Sequence, residues 1–143
     1  MQTLFIAGFG PIVRDLDASR TFYENTLSLT LEGDPGYRHT GGIDGCKSFG
    51  LWRLEDAAES CFGVSTWPAD LPAPTSWLEF DVADMAQAIE QLEAAGHRLL
   101  IKDRTEPWGQ TVTRFLSPEG ILVGCSITPW LRPDAGAPAE ASA

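Results

Sequence analysis

Ser76-Trp77-Leu78-Glu79-Phe80-Asp81-Val82 alternates without a break between two sets of side chains. Strict alternation of this kind marks a half-buried strand. Successive side chains on a strand point to opposite faces, so Leu78, Phe80 and Val82 share one face and Trp77, Glu79 and Asp81 the other. The helix that the apolar face must meet follows at once. Asp84 is placed to cap it, Met85, Ala88, Ile89 and Leu92 recur at helical spacing, and Gly96 closes it. Three further strands are expected at residues 98–101, 110–116 and 121–128, with Pro118-Glu119-Gly120 as a tight turn between the last two.

The same order of elements stands upstream. Residues 4–13 are apolar and rich in small residues, a strand with several glycines. Asp15 or Asp17 then caps a helix running to Leu27, with Ala18, Phe22, Tyr23, Leu27 and Leu29 as its apolar face. Extended segments follow at 30–32 and 37–40, broken by the turn Asp34-Pro35-Gly36, then at 47–54 and 60–66, with 55–59 read as a charged turn. Trp67-Pro68-Ala69-Asp70-Leu71-Pro72-Ala73-Pro74 is an irregular connector. The chain thus reads as an α+β fold of two βαβββ modules, residues 1–66 and 75–131, joined by the connector at 67–74. The Ala-, Pro- and Gly-rich tail at 132–143 is expected to be disordered.

The composition excludes several function classes. Of 143 residues, 43% are hydrophobic, enough for a sizeable core. No apolar run approaches the ~20 residues of a membrane span, and the N-terminus lacks a basic leader. Ten Lys and Arg against 20 Asp and Glu give a net charge of −10, so no basic face is available for nucleic acid or an anionic membrane. The three cysteines, Cys46, Cys61 and Cys125, are odd in number and far apart, which argues against a disulfide framework and for a reducing cytoplasm.

Three stretches together resemble the vicinal-oxygen-chelate superfamily, which includes glyoxalase I, extradiol dioxygenases and bleomycin-resistance proteins. They are Val13-Arg14-Asp15-Leu16 with Ser19-Arg20-Thr21-Phe22-Tyr23; Phe80-Asp81-Val82-Ala83-Asp84 leading to Leu92-Glu93-Ala94-Ala95-Gly96-His97; and Pro107-Trp108-Gly109-Gln110 with Phe115-Leu116-Ser117-Pro118-Glu119-Gly120. The resemblance covers residues 4–130. It implies half-sheets curled into a ligand-binding cup, and a homodimer as in many relatives. Metal-dependent relatives place His, Gln or Glu on the first and last strands of each half. Here those positions fall on Gly8, Trp77 and Gly124, with Gly63 the expected fourth. A glycine has no ligand atom and an indole nitrogen only donates. A catalytic divalent ion needs about three protein ligands, so neither a metal nor a cofactor is assigned.

The remaining candidates each have a functional and a structural reading. Trp77, Trp52 and Trp108 line a cup or supply core and interface area. Trp67 and Trp130, in connectors, are read as packing. Glu79 is a base or a cation anchor if it points into an aromatic cup, and otherwise a carboxylate at a wide mouth. Arg114 orients an anionic group or pairs on the surface. Gly8 and Gly124 give room to a bulky ligand or let strands pack closely. His39 and His97 are too far apart in the pattern to form a metal pair.

The expectation is a metal-independent small-molecule binding protein that holds an aromatic or cationic compound between Trp77, Trp52 and Trp108, with Glu79 nearby. A lyase or isomerase, by acid/base or metal chemistry, is the alternative the resemblance implies. A partner-binding domain without a small ligand is the third reading, and a deep pocket between the half-sheets would separate it from the others.

Overall fold

A computed structural model describes residues 1–132, so the tail read as disordered lies outside the described residues. Seven strands form a single mixed sheet in the order β2-β3-β1-β4-β7-β6-β5. They are β1 (Thr3–Val13), β2 (Tyr37–Thr40), β3 (Phe49–Arg53), β4 (Ser76–Val82), β5 (Ile101–Thr105), β6 (Thr111–Leu116) and β7 (Leu122–Ile127). The helices are α1 (Leu16–Arg20), which continues as a π-helical turn over Thr21–Thr26, α2 (Leu54–Phe62) and α3 (Met85–Ala94). Among the described residues no helix is long and apolar enough to cross a membrane.

The two halves meet where β1 and β4 pair antiparallel, Phe9 opposite Leu78 and Gly8 opposite Glu79. Each half is then built alike. β3 lies parallel beside β1 as β7 lies parallel beside β4, and β2 and β6 close antiparallel on the outside. The counterpart of β5 in the first half shrinks to an isolated bridge between Glu32 and His39.

Besides the strand expected at 98–101, which begins only at Ile101 and runs to Thr105, two expectations need correction. The strand expected at 60–66 does not form. Residues 54–62 are helix α2, ended by Gly63 in the left-handed region at φ 74°. Glu55 and Asp56 in its first turn suit the positive end of a helix, and Ala57, Ala58 and Cys61 lie on one side of it. The charged turn at 55–59 was therefore the start of a helix. The βαβββ count survives because 30–32 and 37–40 are separate strand positions. The second correction concerns the first helix. The π turn carries the Leu27 amide to the Phe22 carbonyl, five residues back, and rotates side chains off the face a regular helix would bury. Phe22 and Leu27 are accordingly half exposed.

Helices α1 and α3 cover one face of the sheet. Under α3 lie Val82, Phe115, Val123 and Cys125 with Phe80 beside them, as the alternation of β4 predicts. Under α1 lie Val13, Leu31 and Leu51. The opposite, concave face carries Ile12, Trp77 and Leu122, and here α2 packs down with Ala57, Ala58 and Cys61.

Candidate functional site

Register explains how the concave face is filled. Because β3 stands to β1 as β7 stands to β4, the residue equivalent to Gly124 in the first half is Gly50, opposite Gly10, and not Gly63. Gly63 lies off the sheet at the end of α2. The positions where metal-dependent relatives carry ligands are then Gly8, Gly50, Trp77 and Gly124. A Cβ on Gly8 would stand 2.9 Å from the Trp77 ring, and one on Gly50 would stand 2.3 Å from the Tyr37 ring. The Trp77 indole donates to the Gly50 carbonyl at 3.0 Å. Aromatic rings therefore occupy the space that glycines leave, so these glycines serve close packing instead of holding a hollow open.

Gly124 does the same for a pair of charges. On the sheet it lies between Glu79 of β4 and Arg114 of β6. A Cβ there would stand 2.9 Å from Glu79 Cγ. With no side chain between them, Arg114 Nη2 donates to Glu79 Oε2 at 3.1 Å. Gln110 donates to the other Glu79 oxygen at 2.9 Å and to Thr128 Oγ1 at 3.0 Å. Both Glu79 oxygens thus accept a hydrogen bond from within the protein.

Arg114 is 3% exposed, so the surface pairing considered from sequence does not apply. Its guanidinium lies 5.0 Å from the Trp52 ring centroid, a cation–π contact, and its Nη1 donates to Ser60 Oγ of α2 at 2.7 Å. Glu106, 4% exposed, faces the same group, and its Oε1 has no hydrogen-bond partner. That oxygen lies 3.8 Å from Arg114 Nη1 and 3.5 Å from Arg104 Nε, attracted by both but bonded by neither. Sequence reading missed Glu106, Gln110 and Ser60. The turn at 106–110 held a signal, since the two residues flanking Pro107-Trp108-Gly109 fall on the same side of a hairpin.

The structure thus brings together Trp77, Glu79, Trp52, Arg114, Gly8 and Gly124. It separates Trp108, which is 58% exposed and reaches the cluster only by donating its indole N–H to Gln110 Oε1 at 3.2 Å. Of the connector tryptophans, Trp67 is buried against Phe62 and donates to the Pro72 carbonyl, while Trp130 is exposed. Further along β4, fully buried Asp81 accepts from Ser126 Oγ, from the Thr128 amide and hydroxyl, and from Arg132 Nε. Burial pushes the Cys61 thiol to about 11 and, on the same face, the Tyr37 phenol to about 12.

The donor set does not fit a divalent ion. Three of the four positions are glycines and the fourth, Trp77, offers only an indole N–H, while the neighbouring carboxylate of Glu79 is held by the Arg114 guanidinium, which has no lone pair to offer. Among the described residues no group of three or more His, Cys, Asp or Glu side chains is arranged to hold a metal.

The sequence matches the glyoxalase-like domain family over residues 8–127. The chain belongs to that family. Solved structures with the same fold include a glyoxalase/bleomycin resistance protein/dioxygenase superfamily member from Vibrio splendidus 12B01, 15% identical with TM-score 0.55, matching 82% of this chain and 94% of that one. An NAD-dependent benzaldehyde dehydrogenase from Legionella pneumophila is 15% identical with TM-score 0.57, over 83% of this chain and 96% of that one. Methylmalonyl-CoA epimerase from Mycobacterium tuberculosis is 19% identical with TM-score 0.51, over 87% of each. At these identities the likeness is one of fold. No curated protein matches the sequence. In this glyoxalase-like domain, packed rings and a buried ion pair fill the concave face.

Proposed function

We propose that this glyoxalase-like protein is a metal-independent binder of a small aromatic or cationic compound, held on the concave face at Glu79, Glu106 and Arg114 between Trp52 and Trp77. The observation that carries the reading is the Glu106 oxygen, buried without a hydrogen-bond partner beside these rings. A buried ion pair is no more stabilising than well-packed apolar side chains, and an unpaired buried oxygen costs about 1–3 kcal/mol, so fold stability alone does not account for the cluster. An organic ammonium with an N–H donor would satisfy Glu106, and its ring contacts would contribute about 0.5–2 kcal/mol each. The test is tryptophan fluorescence during titration with benzylammonium and related aromatics and cations, with and without Zn²⁺, Ni²⁺ or Mn²⁺. Saturable quenching without metal, lost in Trp77→Ala, is the expected result. A response only in the presence of metal would overturn it. The homodimer implied by family resemblance belongs to the same proposal and is tested by light scattering, where a monomer mass refutes it.

A second reading has its own observation. Two surface hollows, of about 310 and 460 Å³, lie beside Arg20 and Glu24 and between the connector and the start of α2, not between the half-sheets. A cup filled by its own helix suits a partner-binding domain with no small ligand. Absence of any response across the panel, with or without metal, would favour that reading.

A further inference from the structure

Among the described residues helix α2 has no counterpart in the second half of the molecule, where β7 is followed by a short 3-10 turn at Pro129–Leu131. It is nine residues long, its N-cap Arg53 makes no side-chain cap, and it ends at Gly63. A helix this short is marginal alone and persists through the face it buries. That face centres on small side chains, Ala57, Ala58 and Cys61, in one cluster with Trp77 and Leu122, with the larger Leu54 and Phe62 only partly buried at the two ends of the helix. Its polar attachments converge on one residue. Arg114 Nη1 donates to Ser60 Oγ at 2.7 Å, and Arg104 Nη1 donates to the Ser60 carbonyl at 3.0 Å. The second bond goes to a last-turn carbonyl that the helix itself leaves open.

We infer that α2 is a displaceable cover over the concave face, latched by the Ser60 hydroxyl on Arg114. Lifting it uncovers the Trp52 and Trp77 rings, the Arg114 edge and the Glu106 oxygen together. The inference rests on the binding reading above for its purpose, while the motion itself is measurable without any ligand.

Cys61 reports the motion. Covered, its thiol is buried and unreactive near neutral pH; uncovered, it returns to an ordinary thiol. Cys125, buried under α3 on the other face, is the internal control. Iodoacetamide labelling of the full chain, resolved by peptide, is compared in wild type, Ser60→Ala and Ser60→Thr. A hydrogen bond to a charged group is strong enough that its loss should raise Cys61 labelling about tenfold in Ser60→Ala, with Cys125 unchanged. Ser60→Thr keeps the hydroxyl and should label like wild type. A Cys61 rate that is unchanged in Ser60→Ala, or rises only in step with Cys125, overturns the cover. Saturating benzylammonium separates the two proposals. Binding with faster Cys61 labelling supports both. Binding with unchanged or slower labelling keeps the binding reading and overturns the cover. A tenfold rise in Ser60→Ala without any binding keeps the cover and removes the binding reading.

Discussion

The first and second halves of this protein begin alike and end differently. Each opens with a strand whose following Asp caps a helix: Asp15 accepts from the Ala18 amide and Asp84 from the Gln87 amide, both at 3.0 Å. Aligned on those caps, Gly8 corresponds to Trp77, Gly10 to Glu79 and Ile12 to Asp81. The first half supplies floor and the second half supplies side chains. Gly10 allows β1 and β3 to approach so closely that a Cβ there would stand 1.9 Å from the Gly50 carbonyl oxygen. At the matching place on β4, Glu79 rises from the sheet into the charge cluster. The closing segments diverge too, since among the described residues the first half adds an α-helix and the second a short 3-10 turn, and the α-helix packs on the concave face. A pseudo-symmetric fold has therefore been made asymmetric in chemistry by a few substitutions on one face.

The largest expected effect breaks the floor. Gly10→Ala sets a side chain against backbone, which has no rotamer by which to yield, and should cost more than about 4 kcal/mol and abolish cooperative thermal unfolding by circular dichroism. An unchanged melt would show that β1 and β3 have room to part. Next comes Asp81→Ala, which leaves Arg132 facing a buried void and should lower stability by about 3–5 kcal/mol in urea unfolding. A loss under 1 kcal/mol would mean Asp81 is no more demanding than Ile12, its counterpart. Gly124→Ala should cost about 1–3 kcal/mol by forcing Glu79 away from Arg114. The same substitution at Gly63, where φ is positive but the space is open, costs backbone strain without touching the cluster.

Alkaline pH sharpens the comparison, because the largest thiol and phenol shifts lie on the first half, while burial also raises the Cys125 thiol of the second. Cys61 is raised from 9.0 to about 11 and Tyr37 from 10.0 to about 12. Unfolded chains lose these protons first, so the folded state holds more protons and stability falls as pH rises from about 9 through about 12. Cys61→Ala should flatten the lower part of that fall. An unchanged slope would place Cys61 in water. The smallest effect is expected at the exposed tryptophan: Trp108→Ala should move stability by less than about 0.5 kcal/mol. A larger loss would show that its bond to Gln110 supports the buried network.

Much of the fold was legible because period and caps are local signals. The alternation of residues 76–82 placed Trp77 and Glu79 on the concave face and Phe80 and Val82 under α3, as found. Residues 54–62 misled because a short run with charges at one end and small residues at the other satisfies a turn or a helix equally, and what it packs against decides. The π turn at Thr21–Thr26 likewise left no mark in the apolar spacing. In the site, Trp77, Glu79, Trp52 and Arg114 were recognisable as residues, but their partners were not. Glu106, Gln110 and Ser60 come from a hairpin turn and a helix far away in sequence, and no local pattern links them to Glu79.

The sequence by itself determined the family, the order of strands and helices around β1 and β4, and the Asp-capped helices, because each follows from residue type and spacing. Only the tertiary structure decided that Gly50 is the first-half equivalent of Gly124, that Gly124 joins Glu79 to Arg114, and that α2 closes the cup. Each of these depends on which strands lie side by side and in what register, and pairing between distant segments is fixed by the packing of the whole sheet.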